Sequence, residues 1–250
     1  MTDLQNNINN LVNSLKVEKM PVEKQVEENN KIIHNNIKNC CRLKKTTFMN
    51  DLIVNNNNKT LIEFLKTYKN SFVNNLVEQS NEDYKQLNCN LVLTGNCGSG
   101  KSFIINAFLN EMNELKKQYI DIDYDNQGYK KEILKTTYLK CYRLNCYDLI
   151  QQLRNQDYNN EELEKDYYNS DLLVIDEVGI QFATEAERQI LYKIIDYRYN
   201  YFKPTFIISN YNLESIDKTK TSISYVLGQR IMSRLLLENT KKIQLQGNMR

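Results

Sequence analysis

Residues 94–102 read TGNCGSGKS, and Gly95 to Ser102 satisfy G-x-x-x-x-G-K-[ST] without a mismatch. Three of the chain's seven glycines (Gly95, Gly98 and Gly100) fall inside this loop. They let the backbone curl so that successive N–H groups converge on one point, which suits an anion. A helix starting near Ser102 adds the positive end of its dipole. In this pattern Lys101 reaches the β- and γ-phosphates of a nucleotide, and the Ser102 hydroxyl ligates Mg²⁺. The cofactors expected are therefore ATP and Mg²⁺, contacted by Gly95, Asn96, Cys97, Gly98, Ser99, Gly100, Lys101, Ser102 and Phe103. A flexible surface loop is the bland alternative.

A phosphate cradle alone hydrolyses nothing. The second half comes from Leu172-Leu-Val-Ile-Asp176-Glu177, an apolar run ending in two acids. Asp176 is placed to hold Mg²⁺ through water, and Glu177 to orient or deprotonate the attacking water. A kinase acting on a small molecule needs no water-activating glutamate, so the pair favours an ATPase. Asn210 follows the apolar run Thr205–Ser209, where its amide can contact the γ-phosphate and the water; a turn-forming Asn is the alternative. Arg230 and Arg234 lie one turn apart on a helix whose apolar stripe is Ile223, Leu227, Ile231 and Leu235. Either is a candidate for a neighbouring subunit's γ-phosphate, and Arg250 is a third candidate cation.

These residues need rigid elements to hold them. From about residue 60 the pattern alternates between buried strands and helices, which implies a parallel sheet with helices on both faces. Helices are expected over 61–76, 102–117, 146–154 and 222–238, and strands over 89–93, 138–144, 172–175, 205–209 and 241–245. Thr184 and Glu187 form a capping box for a helix carrying Ile190, Leu191, Ile194 and Ile195, and Asn145 is placed to cap the helix at Cys146. The polar stretch 118–135 reads as an insertion or exposed hairpin. The first 60 residues hold 15 asparagines and no glycine. Leu4, Ile8, Leu11 and Leu15 form one apolar stripe there, and a second helix with Ile32, Ile33 and Ile37 follows Pro21. Too little apolar area is present for a separate core, so these helices dock on something or the segment stays disordered.

Composition sets outer limits. Thirty-three Lys and Arg against 31 Asp and Glu give a net charge of +2, which argues against a protein coated in DNA-binding charge. No run approaches the roughly 18 apolar residues of a membrane helix, and MTDLQNNINN is no signal peptide, so a cytoplasmic protein is expected. The six cysteines then read as reduced thiols, with a zinc site at His34, Cys40 and Cys41 the weaker alternative. The 17 tyrosines offer stacking surfaces for nucleic acid, yet Tyr167 and Tyr168 read equally as packing.

The chain resembles the DnaC/DnaI-type replicative helicase loaders of the AAA+ class. Asp-Glu-Val-Gly-Ile-Gln at 176–181, Ile-Ser-Asn at 208–210 and Leu-Gly-Gln-Arg-Ile-Met-Ser-Arg at 227–234 occur in that family's order and spacing, with Thr47-Phe48 as a lead-in. The likeness runs over residues 46–250. It implies an α/β AAA+ P-loop NTPase with a five-stranded parallel sheet, preceded by a helical, Asn-rich segment at 1–45 that grips a helicase. It further implies Walker A roles for Lys101 and Ser102, Walker B roles for Asp176 and Glu177, and sensor 1 for Asn210. Arg234 becomes the arginine finger with Arg230 second, and Arg250 the sensor 2 residue. Partners implied are a hexameric replicative helicase of the DnaB type, single-stranded DNA and further copies joined through the ATP site. An IstB-like transposition helper acting on duplex DNA with a transposase is the runner-up. A non-enzymatic nucleotide switch is the third reading.

Overall fold

A computed structural model describes residues 22–40, 47–77, 89–124, 129–154, 160–179, 184–214 and 222–247. The stripe at Leu4–Leu15, Cys41 and Arg250 lie outside them. By its contacts the chain divides into residues 1–33 and 34–250. The first unit contributes the start of α1 (Val22–Cys40), where Lys31 pairs with Glu27 at 3.6 Å. The second unit holds everything that follows.

Its centre is a five-stranded, wholly parallel sheet in the order β4-β5-β6-β1-β7. The strands are β1 (Leu91–Gly95), β4 (Cys141–Asn145), β5 (Leu172–Asp176), β6 (Thr205–Ser209) and β7 (Lys241–Leu245). Every residue of β1, β5 and β6 is buried, as continuous apolar strands covered on both faces must be. Two helices close the face around Phe206, namely α2 (Lys59–Val77) and α3 (Lys101–Met112). There Tyr68 meets Phe206 and Phe108 edge-on, with ring centroids 5.2 and 6.0 Å apart. The lead-in Thr47–Met49 is tied to α3 by Asn110 Nδ2, which donates to Thr47 O at 2.8 Å, and by Met49 N–H, which donates to Glu111 Oε1 at 2.9 Å.

Strand β1 and the next sheet strand in sequence, β4, are separated by β5 and β6. The connections therefore diverge past the carboxyl end of β1 and leave a crevice there. The chain spends that connection on α3 and on an antiparallel hairpin, β2 (Lys116–Tyr124) with β3 (Lys130–Tyr138), which confirms the expected exposed hairpin.

Three boundaries differ from expectation. The helix begun at Lys101 stops at Met112, five residues before 117. Asn113 is buried and turns its amide to β4, accepting from Cys141 N–H at 3.2 Å and donating to Cys141 O at 3.3 Å. The period-2 run after it joins the hairpin instead of prolonging the helix. The single strand expected at 138–144 is two, because Leu139 and Lys140 carry the chain from hairpin to sheet. Leu139 N–H donates to Leu115 O at 2.9 Å, and Lys140 N–H to Asp171 Oδ2 at 2.8 Å. The last helix, α7 (Ile223–Leu235), ends before 238 and is broken at Gly228, whose φ of 76° and ψ of 165° are non-helical.

The remaining helices are α4 (Cys146–Arg154), α5 (Asn160–Asn169) and α6 (Glu185–Asn200). Helix α5 escaped the sequence reading, for NEELEKDYYN has no apolar stripe of its own. The Thr184–Glu187 capping box forms as expected.

Candidate active site

At the carboxyl ends of β1, β5 and β6 lies a cleft of about 660 Å³. Residues 97–103, Asp176, Glu177, Ser209 and Asn210 line it. The loop's shape follows from its glycines. Gly95 has φ of +145°, and a Cβ there would sit 2.2 Å from Leu245 O, so only glycine lets β1 turn away beside β7. Gly100, with φ of 87°, starts α3 directly behind the loop, leaving the first N–H groups of the helix facing the cleft.

Lys101 is buried and folded back onto its own loop. Its Nζ donates to Gly95 O at 2.6 Å, Asn96 O at 2.9 Å and Ser99 Oγ at 3.2 Å. Burial holds the ammonium below its usual value, while the charge of Asp176 works in the other direction. The loop thus keeps a desolvated cation whose partners are neutral carbonyls and one hydroxyl, ready for a stronger acceptor. Cys97 and Phe103 stand exposed at the mouth.

The Ser102 hydroxyl donates to Asp176 Oδ2 at 2.9 Å, so the two expected metal ligands are already in contact. One hydroxyl and one carboxylate, facing a phosphate cradle, suit a hard cation that takes its other ligands from phosphates and water. Among the described residues no group of three or more His, Cys, Asp or Glu forms an all-protein metal cage; the alternative zinc site at His34, Cys40 and Cys41 reaches beyond them, because Cys41 is not among the described residues. His34 stacks on Tyr138 with ring centroids 4.3 Å apart.

Glu177 has φ of +58°, a conformation that costs a non-glycine residue about 1–3 kcal/mol. It is held by its own N–H, which donates to Asp176 Oδ1 at 2.8 Å, and by the Asn145 amide, which donates to its carboxylate. Asn145 also caps α4 as expected, its Oδ1 accepting from Tyr147 N–H at 2.9 Å. That bond fixes which end of the amide faces Glu177. Beyond Glu177, Val178 N–H donates to Ile208 O at 3.0 Å, and Ser209 Oγ donates to Val178 O at 2.5 Å. Gly179 lies so close to Tyr211 that a Cβ would meet its ring at 2.5 Å. The loop after the acids is therefore fastened to the end of β6, and the exposed Asn210 shares their cleft.

The arginines are elsewhere. Helix α7 starts where Ile223 N–H donates to Asn212 O, beyond β6. It ends where Leu235 O accepts from Asn90, just before β1. Arg234 therefore sits at the opposite end of the sheet from its own loop. The five residues of β1 alone separate them by about 16 Å. Its Nε donates to Asp196 Oδ1 at 2.8 Å, and its guanidinium lies 5.0 Å from the centroid of the Tyr199 ring. The same hydrogen bond is the main reason Asp196 is held below the ordinary carboxylate range. Arg230 is exposed one turn earlier, beside Glu185 and Arg188. Neither is brought to the cleft of its own chain.

Two contributors were missed by sequence reasoning. Arg143 donates to Asp176 Oδ2 from Nε at 3.0 Å and Nη2 at 2.5 Å, and Asn145, expected only as a cap, holds Glu177. The signal was present: 143 and 145 are two apart on one face of a strand, where a half-buried arginine needs an acidic partner.

Sheet order, cradle and paired acids together give the fold of a P-loop NTPase of the AAA+ kind. Residues 134–250 match the family model described as IstB-like ATP binding protein. The replicative helicase loader DnaC of Escherichia coli K12 is 38% identical over 87 residues, which is 35% of this chain and 33% of the loader. The chain thus spans about a third of the length of the curated relatives it matches. A crystal structure of the DnaC helicase loader superimposes with a TM-score of 0.55 at 20% identity, covering 80% of this chain and 96% of that one. That of DnaI gives 0.54 at 18% identity, covering 80% and 92%. The resemblance to DnaC/DnaI-type loaders and their IstB-like relatives, drawn from the motifs, is borne out.

Proposed function

We propose that the chain is an ATP-dependent loader that delivers a hexameric replicative DNA helicase onto single-stranded DNA. The observation that carries this is the separation of Arg234 from its own cleft, on a domain similar to DnaC. A cleft with cradle and acids, to which neither Arg230 nor Arg234 of its own chain is brought, is completed by a second copy, so hydrolysis becomes coupled to assembly.

In this reading the loop N–H groups and Lys101 bind the β- and γ-phosphates. Ser102 and Asp176 would hold Mg²⁺, which when bound would neutralise charge on the phosphates. Glu177, freed from Asn145, takes a proton from the attacking water, and Asn210 orients that water. Arg234 of an adjacent copy meets the developing charge on the γ-phosphate as it passes to water, leaving ADP and phosphate. Arg230 keeps the second claim to that role, and Arg250 is assigned to sensor 2. Residues 1–45 grip the helicase and residues 46–250 form the ATPase domain, acting in the cytoplasm. Co-purification with a DnaB-type helicase, lost on removal of residues 1–45, is the test. Full-length protein that runs separately from helicase on size exclusion contradicts it.

The match to the IstB-like family model favours one second reading, a transposition helper that clamps duplex DNA. Recovery of a transposase in place of helicase, with preference for duplex over single strands, selects it.

A further inference from the structure

Strand β4 carries no part of the phosphate cradle, yet it sends a cation to the metal-binding acid. We propose that Arg143 is a positioning residue that sets the divalent-cation affinity of the site by competing with the metal for Asp176. This rests on the ATP and Mg²⁺ reading above.

The acceptor inventory of Asp176 carries the argument. Oδ2 receives three protein donors: Ser102 Oγ at 2.9 Å, Arg143 Nε at 3.0 Å and Arg143 Nη2 at 2.5 Å. Oδ1 receives the Glu177 N–H at 2.8 Å. Each carboxylate oxygen offers about two lone-pair positions, so the described donors fill Oδ2, the oxygen beside Ser102, while Oδ1 keeps one. A divalent cation shared by Ser102 and Asp176, or a water bound to it, meets the carboxylate at Oδ2, whose lone pairs the guanidinium now holds. Charge points the same way. The carboxylate side chain is 5% exposed and that of Arg143 20%, so solvent screens the pair only partly. A fixed positive charge beside that oxygen opposes the arrival of another.

Arg143 also has somewhere to rest. Its Nη1 donates to Asn106 Oδ1 at 3.1 Å, and Asn106 stands one helical turn beyond Ser102 on the same face of α3. The guanidinium can keep Asn106 while giving up Asp176. Without nucleotide, the salt bridge neutralises a buried acid and keeps Ser102 and Asp176 in contact. Phosphate charge from the nucleotide then tips the competition, so cation and nucleotide enter together and the cation alone binds poorly.

The test measures cation affinity without turnover. Mn²⁺ is titrated against the full-length protein holding a non-hydrolysable ATP analogue, and free Mn²⁺ is read by electron paramagnetic resonance. Losing a hydrogen bond to a charged group shifts an equilibrium by about 10- to 150-fold. Arg143→Gln should accordingly tighten Mn²⁺ binding by about tenfold or more, and Asn106→Ala should shift it less. Unchanged or weaker Mn²⁺ binding in a folded Arg143→Gln protein overturns the proposal. If that variant does not fold, Arg143→Lys carries the test, because it keeps the charge but loses the two-point grip. Tightening of about threefold or more then supports the competition, and anything less overturns it. Fluorescent ATP titrated with Mg²⁺ separates the two claims. A wild-type chain that binds no nucleotide at any Mg²⁺ concentration sinks the nucleotide reading, whereas normal binding with unaltered Mn²⁺ affinity in the variants sinks only the role of Arg143.

Discussion

Replacing Lys101 with methionine should separate nucleotide binding from folding. The ammonium is buried, its only described hydrogen-bond acceptors are Gly95 O, Asn96 O and Ser99 Oγ, and burial already disfavours its charged form. Methionine keeps the length without a charge to desolvate, so nucleotide-free stability should stay within about 1 kcal/mol of wild type. Binding should not survive so well. A hydrogen bond to a charged group is worth about 1.5–3 kcal/mol, so losing one to phosphate weakens ATP by about 10- to 150-fold. At a nucleotide concentration of about 100 times the wild-type Kd, ligand stabilises the wild type by about 2.7 kcal/mol and the variant by only about 0.3–1.4 kcal/mol. For a domain of about 200 residues each kcal/mol is about 2–4 °C of Tm. Differential scanning fluorimetry should thus show a wild-type ATP shift of about 5–11 °C, a shift at most about half as large for Lys101→Met, and similar Tm values without nucleotide. A variant with an undiminished shift and a Kd within about threefold of wild type refutes the cradle.

Glu177→Gln should bind ATP normally yet hydrolyse it about 10²–10⁴-fold more slowly, because Ser102 and Asp176 remain in place while the general base is lost; a phosphate-release assay beside a binding titration checks both halves. At pH 8, exposed Cys97 should be alkylated before buried Cys146, whose thiol is pushed up to about 12 first by burial and then by Glu187. Peptide mass spectrometry should also find Cys97 protected by ATP, and equal labelling with and without nucleotide counts against the loop contacting it. Arg198→Leu should destabilise the domain by about 3–5 kcal/mol in urea melts, because its guanidinium, fully buried, supplies Tyr167 O, Ser170 O, Pro204 O and Thr205 Oγ1.

What the sequence revealed was whatever depends on local pattern. The loop from Gly95 to Ser102, the two acids at the end of β5 and the Thr184–Glu187 cap each follow from a short run of residue types, and each forms as read. Residues whose part is fixed by pairing across strands stayed hidden. Arg143 meets Asp176 only because β4 lies beside β5, in a register that sets Asn145 against Asp176. Arg198 was nearer to view. It continues the spacing of Leu191, Ile194 and Ile195 onto the buried face of α6, where a charged residue has to be a structural hub. The stop of α3 at Met112 was not legible, since it depends on Asn113 finding Cys141 some 28 residues later. The residue pattern by itself also left Arg230 and Arg234 as alternatives, because the bond of Arg234 to Asp196 depends on how α6 and α7 pack together.

The claim that the site is shared between copies is tested most directly by mixing two inactive variants. Arg234→Ala keeps an intact cleft but lacks the finger, and Glu177→Gln keeps the finger but lacks the base. Head-to-tail contacts formed at random between equal amounts of the two place an intact cleft against an intact finger in about a quarter of cases. With helicase and single-stranded DNA present, each variant alone should be inactive, and the mixture should recover a clear fraction of wild-type ATP hydrolysis. A mixture no more active than its components, or an Arg234→Ala protein that hydrolyses ATP at the wild-type rate, contradicts the account.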